Sequence, residues 1–160
     1  MTRISAQFTV LGLLAIAGCQ SKALPHEGKS VAELQAMLLS KDSNMQAQGA
    51  LGLSQHGPAA LPALPALKEL LASPRPLVRQ QAALAIGQIG PEAVDAVPAL
   101  TGVLEDSEWP VRRQAAIALG SIGAASRPAL PALQRLEGDA VKAVKQAARE
   151  ARSKIEQSDK

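Results

Sequence analysis

Aromatic residues are almost missing from this 160-residue chain, which has one Trp, one Phe and no Tyr. A core without rings has to come from Ala, Leu, Val and Ile, and 47% of the residues are apolar. Cysteine is limited to Cys19, which excludes an internal disulfide. Histidine is limited to His26 and His56, too few for a multi-histidine metal centre. No Ser-His-Asp constellation stands at a suggestive spacing, so nucleophilic catalysis has no candidate. The net charge of +3 is small and the two signs are interleaved, which leaves no one-sided basic surface for nucleic acid. The longest apolar run, Phe8 to Ala17, is too short to span a bilayer of about 30 Å.

What is present is a pattern written twice. Val78-Arg79-Gln80-Gln81-Ala82-Ala83-Leu84-Ala85-Ile86-Gly87-Gln88-Ile89-Gly90 returns 33 residues later as Val111-Arg112-Arg113-Gln114-Ala115-Ala116-Ile117-Ala118-Leu119-Gly120-Ser121-Ile122-Gly123. Pro98-Ala99-Leu100 and Pro131-Ala132-Leu133 keep the same offset. A fixed period without insertion marks stacked supersecondary units rather than one globular core. These segments resemble HEAT repeats, and more closely the HEAT-like repeats named after phycobilisome lyases. The resemblance implies an all-α fold, an α-solenoid of about four helical hairpins.

The N-terminus has a cation at Arg3, an apolar run, and small residues up to Cys19. Ile16-Ala17-Gly18-Cys19 resembles the bacterial lipobox, in which the signal is removed immediately before a cysteine acylated on sulfur. The expectation is a lipoprotein signal over 1–18, lipidation of Cys19, and a tether over 19–29 that contains Pro25 and Gly28. The protein is expected to be exported, membrane-anchored and periplasm-facing; in a Gram-negative host, Gln20 after the cysteine implies, by analogy, sorting to the outer membrane.

The solenoid is expected over 30–157, with repeats at roughly 30–57, 58–90, 91–123 and 124–157. Ser30-Val31-Ala32-Glu33 opens it as a capping box. Each repeat is read as an A helix and a B helix: 31–39 and 43–55, 61–72 and 77–89, 93–104 and 110–122, 127–136 and 140–155. Pro65, Pro98 and Pro131 predict a bend early in the later A helices. Gly49 and Gly52 stand where other repeats have alanine, which predicts a softer first B helix. In the last repeat Arg149 and Glu150 replace Ala116 and Ile117, the polar far face of a terminal cap.

Two sets of residues are candidates for a role. Asp106 and Asp139 recur in the turn between helices, and Arg79, Arg112 and Lys145 recur near the start of helix B. In HEAT repeats an Asp and an Arg at these places form hydrogen bonds within and between repeats, which implies a structural ladder with Asp106 beside Arg112 and Asp139 beside Lys145. The second set is the outward side of the B helices, expected to be the concave face: Gln80, Gln81, Arg113, Gln114 and Gln146, with Trp109 in the adjoining turn. That face is the expected site for another protein of the cell envelope. Deoxyhypusine hydroxylases are HEAT-repeat enzymes that hold iron through several His-Glu pairs, whereas this chain has one, His26-Glu27, so no metal, cofactor or catalytic residue is expected. The alternatives are an accessory, lyase-like subunit holding a small ligand in the groove, or a structural spacer.

Overall fold

The structure, a computed structural model, describes residues 24–158; the signal segment and Cys19 lie outside the described residues. Eight α-helices follow one another there as four hairpins: α1 (Val31–Leu38) with α2 (Ser43–His56), α3 (Leu64–Leu70) with α4 (Pro76–Ile89), α5 (Val97–Val103) with α6 (Trp109–Ile122), and α7 (Leu130–Leu136) with α8 (Lys142–Gln157). No strand occurs among the described residues. The fold is an α-solenoid. The capping box forms as read: the Ser30 hydroxyl accepts from Glu33 N–H while the Glu33 carboxylate accepts from Ser30 N–H. The three hairpin-to-hairpin glycines, Gly57, Gly90 and Gly123, take φ of 54°, 78° and 77°. An L side chain would be strained there, so these positions stop the B helices.

The A helices of repeats two to four differ from the expected continuous helices. Each begins with a seven-residue 3-10 segment, Gly57–Ala63, Gly90–Ala96 and Gly123–Ala129, and only then becomes α-helical for seven residues. Proline is the reason. Pro65, Pro98 and Pro131 lack the N–H that would reach the carbonyl four residues back. That carbonyl accepts instead from three residues on: Leu64 N–H bonds Leu61 O, Val97 N–H bonds Val94 O, and Leu130 N–H bonds Arg127 O.

The B helices pack side by side at very short range. A Cβ built on Gly87 would lie 3.0 Å from Ala118 Cα, and one on Gly120 would lie 2.9 Å from Ala151 Cα. Both contacts join one repeat to the next, and Ala85, Ala118 and Ala151 occupy one register position. The B helices thus form a closely packed layer of the stack.

At the first repeat that register position is Gly52, and among the described residues no earlier B helix stands beside it. Its place is taken by residues 24–29, which fold into a turn rather than the expected tether. His26 is only 4% exposed. Its Nδ1 pairs with Gln48 Oε1 at 2.5 Å, and its Cβ would be 2.9 Å from a Cβ on Gly52. His56 Nε2 bonds Lys29 O at 3.1 Å and closes the turn. Gly49 is likewise set against Met37 and Leu34, 2.8 and 2.9 Å from a built Cβ. The two glycines are therefore contact positions rather than degraded alanines. At the other end Arg149 and Glu150 are exposed, as a terminal cap requires.

One core position is out of character. Ser126 is fully buried where the two preceding repeats have Ala93 and Ala60, and its hydroxyl has no hydrogen-bond partner. A buried unpaired hydroxyl costs about 1–3 kcal/mol. Ser126→Ala is expected to raise stability by about 1 kcal/mol, read as a higher urea midpoint at unchanged m-value.

Candidate functional site: the B-helix face and its supporting ladder

The ladder forms, but its partners are shifted by one repeat from the expected pairs. Arg79 donates from Nε and Nη2 to Asp106 at 2.6 and 2.7 Å, and Arg112 donates in the same way to Asp139 at 2.7 and 3.2 Å. Each fork joins helix B of one repeat to the turn of the next. Within a repeat the third nitrogen turns back to the backbone: Arg79 Nη1 to Ser73 O at 2.9 Å, Arg112 Nη1 to Asp106 O at 2.8 Å. Gln46 makes only the backward bond, to Ser40 O at 2.9 Å. The expected Asp106–Arg112 and Asp139–Lys145 carboxylate pairs are thus corrected, because the start of helix B lies between its own turn's carbonyl and the next turn's carboxylate. Lys145 acts on Asp139 through charge alone.

Each aspartate also caps its own helix-B turn. Asp106 Oδ1 accepts from Glu108 N–H at 2.9 Å, and Asp139 Oδ1 from Val141 N–H at 2.8 Å. Asp139 is held below the usual aspartate range chiefly by the Arg112 bonds, against the opposing effect of burial. For Asp106 burial pushes upward most, yet the bonds from Arg79 and from Glu108 N–H together outweigh it, and the net direction is down. Arg79 is shifted up by the same pair. The ladder is therefore ionised and internal, and it ties helix B of one repeat to the turn of the next.

The expected binding residues separate into two groups. Gln80, Arg113 and Gln146 occupy one register position and line the open side of the B layer. Gln81 and Gln114 do not join them: Gln114 is 8% exposed, and Gln81 Oε1 is buried without a partner. The inner B helices α4 and α6 are each covered on three sides, by their A helix and by both neighbours, so a polar residue one step round from the open face falls into the seam. Trp109 is the first residue of α6, 46% exposed, beside the open face at the N-terminal end of the layer, where Leu77 on α4 is also exposed.

The centre of the groove holds residues that the polar reading passed over. Leu51, Leu84 and Ile117 share one register position and are half-buried, and Glu150 takes that place in the last repeat. Their common 33-residue offset was the available signal. Between α6 and α8 the groove deepens to a cleft of about 110 Å³ bounded by Arg113, Ile117, Gln146 and Glu150 among others. Gln146 Nε2 donates to Glu150 Oε1 at 2.8 Å. A larger hollow of about 580 Å³ lies at the other end of α6, along Gly120 to Ala125 and Lys154, and is broadly open. No cluster of three or more His, Cys, Asp or Glu able to hold a metal occurs among the described residues.

Two-helix units stacked in register, sharing one open B face and stapled by Arg–Asp forks, define an α-solenoid repeat protein. The family model described as HEAT repeats matches residues 64–152, more than half of the chain, and the chain belongs to that family. None of the curated proteins matches it. Among solved structures, an engineered protein is similar at 27% identity over 79% of this chain and 62% of the other, with a TM-score of 0.70. Human deoxyhypusine hydroxylase in complex with glycerol is similar at 30% identity over 81% of this chain and 44% of the other, TM-score 0.61. The complex of CpcE and CpcF of phycocyanin lyase from Nostoc sp. PCC7120 matches at 22% identity over 76% of this chain and 79% of the other, TM-score 0.63, a likeness of fold alone. The chain thus spans less than two thirds of the first engineered structure and less than half of the hydroxylase.

Proposed function

We propose that this protein is a lipid-anchored interaction scaffold of the bacterial cell envelope, which binds another protein along the open face of its B helices. The observation that carries the reading is the groove itself: Gln80, Arg113 and Gln146 in one row beside Leu51, Leu84 and Ile117, presented by helices that the ladder already holds rigid. A preordered surface binds without a large ordering cost. Support for the anchor comes from the sequence, in the lipobox-like Ile16-Ala17-Gly18-Cys19. A small-ligand role has less in its favour, because the groove's cleft is well below the roughly 300–1,000 Å³ of typical ligand sites.

Photo-crosslinking residues placed singly at Gln80, Arg113 and Gln146, with Glu69 on α3 as control, test the binding face in the native host. A discrete envelope-protein adduct from the three groove sites and none from Glu69 is the expected result. Equal adducts from Glu69, or none from the groove, would leave the spacer role instead. Cys19→Ser is expected to abolish acylation and to move the protein out of the membrane fraction; an unchanged fraction would overturn the anchor.

A further inference from the structure

We infer that the groove takes an extended segment of a partner protein whose central residue is an aspartate or glutamate, seated on Arg113, with aliphatic residues beside it. This rests on the B face being the binding face. Arg79 and Arg112, on the same helices, are both used up by aspartates of the stack. Arg113 is exposed on the groove side and has no carboxylate partner among the described residues. Glu150, the one acid in the groove's central row, is engaged by Gln146.

The surroundings favour a carboxylate on a peptide over other anions. Arg113 is flanked along its row by Gln80 and Gln146, which are uncharged and offer both donors and acceptors. Arg113 is the one cation of its row and Glu150 adds a negative charge to the same cleft, so a phosphate group or a polyanion finds too little positive charge, whereas one carboxylate can be seated on the Arg113 fork. Once a segment covers the groove, the half-buried Leu84 and Ile117 help to exclude water from the exposed Arg113, which strengthens a guanidinium–carboxylate pair, and the planar fork allows it to be bidentate. Spacing sets the length. Neighbouring packed helices lie about 8–10 Å apart, which equals about three residues of extended chain at roughly 3.3 Å each. A segment crossing α4, α6 and α8 in turn therefore runs for about seven residues, with its acid in the middle over Arg113 and Ile117 on α6, and the residues two before and two after it facing the same side, towards Leu84 on α4 and Gln146 on α8.

The test is selection of random twelve-residue peptides displayed on phage against the full chain in detergent micelles, with parallel selection on Arg113→Glu. The expected result is enrichment of peptides with a central Asp or Glu next to aliphatic residues, at least tenfold weaker binding of those peptides to Arg113→Glu, and Lys or Arg at that place in the peptides that the variant selects. Leu84→Gln, a mild change at a half-buried site whose helicity circular dichroism can check, separates the two levels of the argument. Peptides that lose affinity for Leu84→Gln but keep it for Arg113→Glu would overturn the carboxylate assignment and leave the groove standing. Peptides indifferent to both variants, or no enrichment at all, would overturn both.

Discussion

Asp106→Ala is expected to lower the free energy of unfolding by about 3 kcal/mol, the low end of the range for breaking a buried ion pair. The Arg79 and Asp106 side chains are only 13% and 8% exposed, so the guanidinium left behind loses two short charge-assisted bonds without regaining full hydration. The same substitution removes the cap on Glu108 N–H. Both losses fall on the junction between the second and third repeats. In a one-dimensional stack such a junction is part of what couples the units, so unfolding should become less cooperative as well as easier. Lys145→Ala, which removes a charge without a hydrogen bond to Asp139, is expected to cost under about 0.5 kcal/mol. Urea titration at pH 7 checks both; equal losses in the two variants would deny the ladder its role.

The ladder also sets the acid limit. Asp106 and Asp139 are both shifted down in the folded protein, Asp106 despite the burial that is its largest single influence, and Asp139 mainly through Arg112. In the unfolded chain their pKa values return to about 3.9, so below that region the unfolded state binds more protons and stability rises with pH. The contribution is fully present above the unfolded value and disappears as pH falls through the lowered folded values. Wild-type stability is therefore expected to fall steeply below about pH 4. Asp106→Ala, already without one of the two groups, should show a shallower slope in urea midpoints measured across the same range.

The sequence carried the period, the B helices and the stop glycines, because these depend on local signals: apolar spacing, Gly-Pro pairs and a repeat without insertions. The A helices were legible only in part. A proline early in a helix is compatible with either an α or a 3-10 start, and only the Leu64, Val97 and Leu130 bonds to the third residue back decide between them. The ladder's residue types and column were legible, whereas its partners depend on how adjacent hairpins stack. A separation of 6 reads naturally as the carboxylate contact, although that distance is bridged to a carbonyl and the carboxylates are met at 27. The seat of His26 on Gly52 is wholly tertiary and left no periodic trace in a segment with Pro25 and Gly28. In the groove, polarity alone placed Gln114 outside, although a helix covered on three sides exposes too narrow a strip for that rule.

Gly120→Ala and Gly102→Ala are the same substitution with opposite expected signs. Within a helix alanine is favoured over glycine by up to about 1 kcal/mol, and at Gly102, in the last turn of α5, a new Cβ meets nothing within 4 Å. Stability there should rise by roughly 0.5 kcal/mol, below the full interior value because the site is in the last turn. At Gly120 the new Cβ would stand 2.9 Å from Ala151 Cα and 3.1 Å from its Cβ. Neither atom belongs to a flexible side-chain end, so α8 itself must shift, and overpacking of this kind costs about 1–3 kcal/mol. The net expectation is a loss of about 1–2 kcal/mol. The shift should also reach the ladder, since Asp139 lies at the entrance to α8 and is bound by Arg112 on α6. Gly120→Ala and Asp139→Ala should then combine to less than the sum of their separate effects, because each loosens the same junction. Strict additivity, or a gain at Gly120, would mean that the close approach of the B helices is not what sets the spacing of the repeats, and with it the width of the groove.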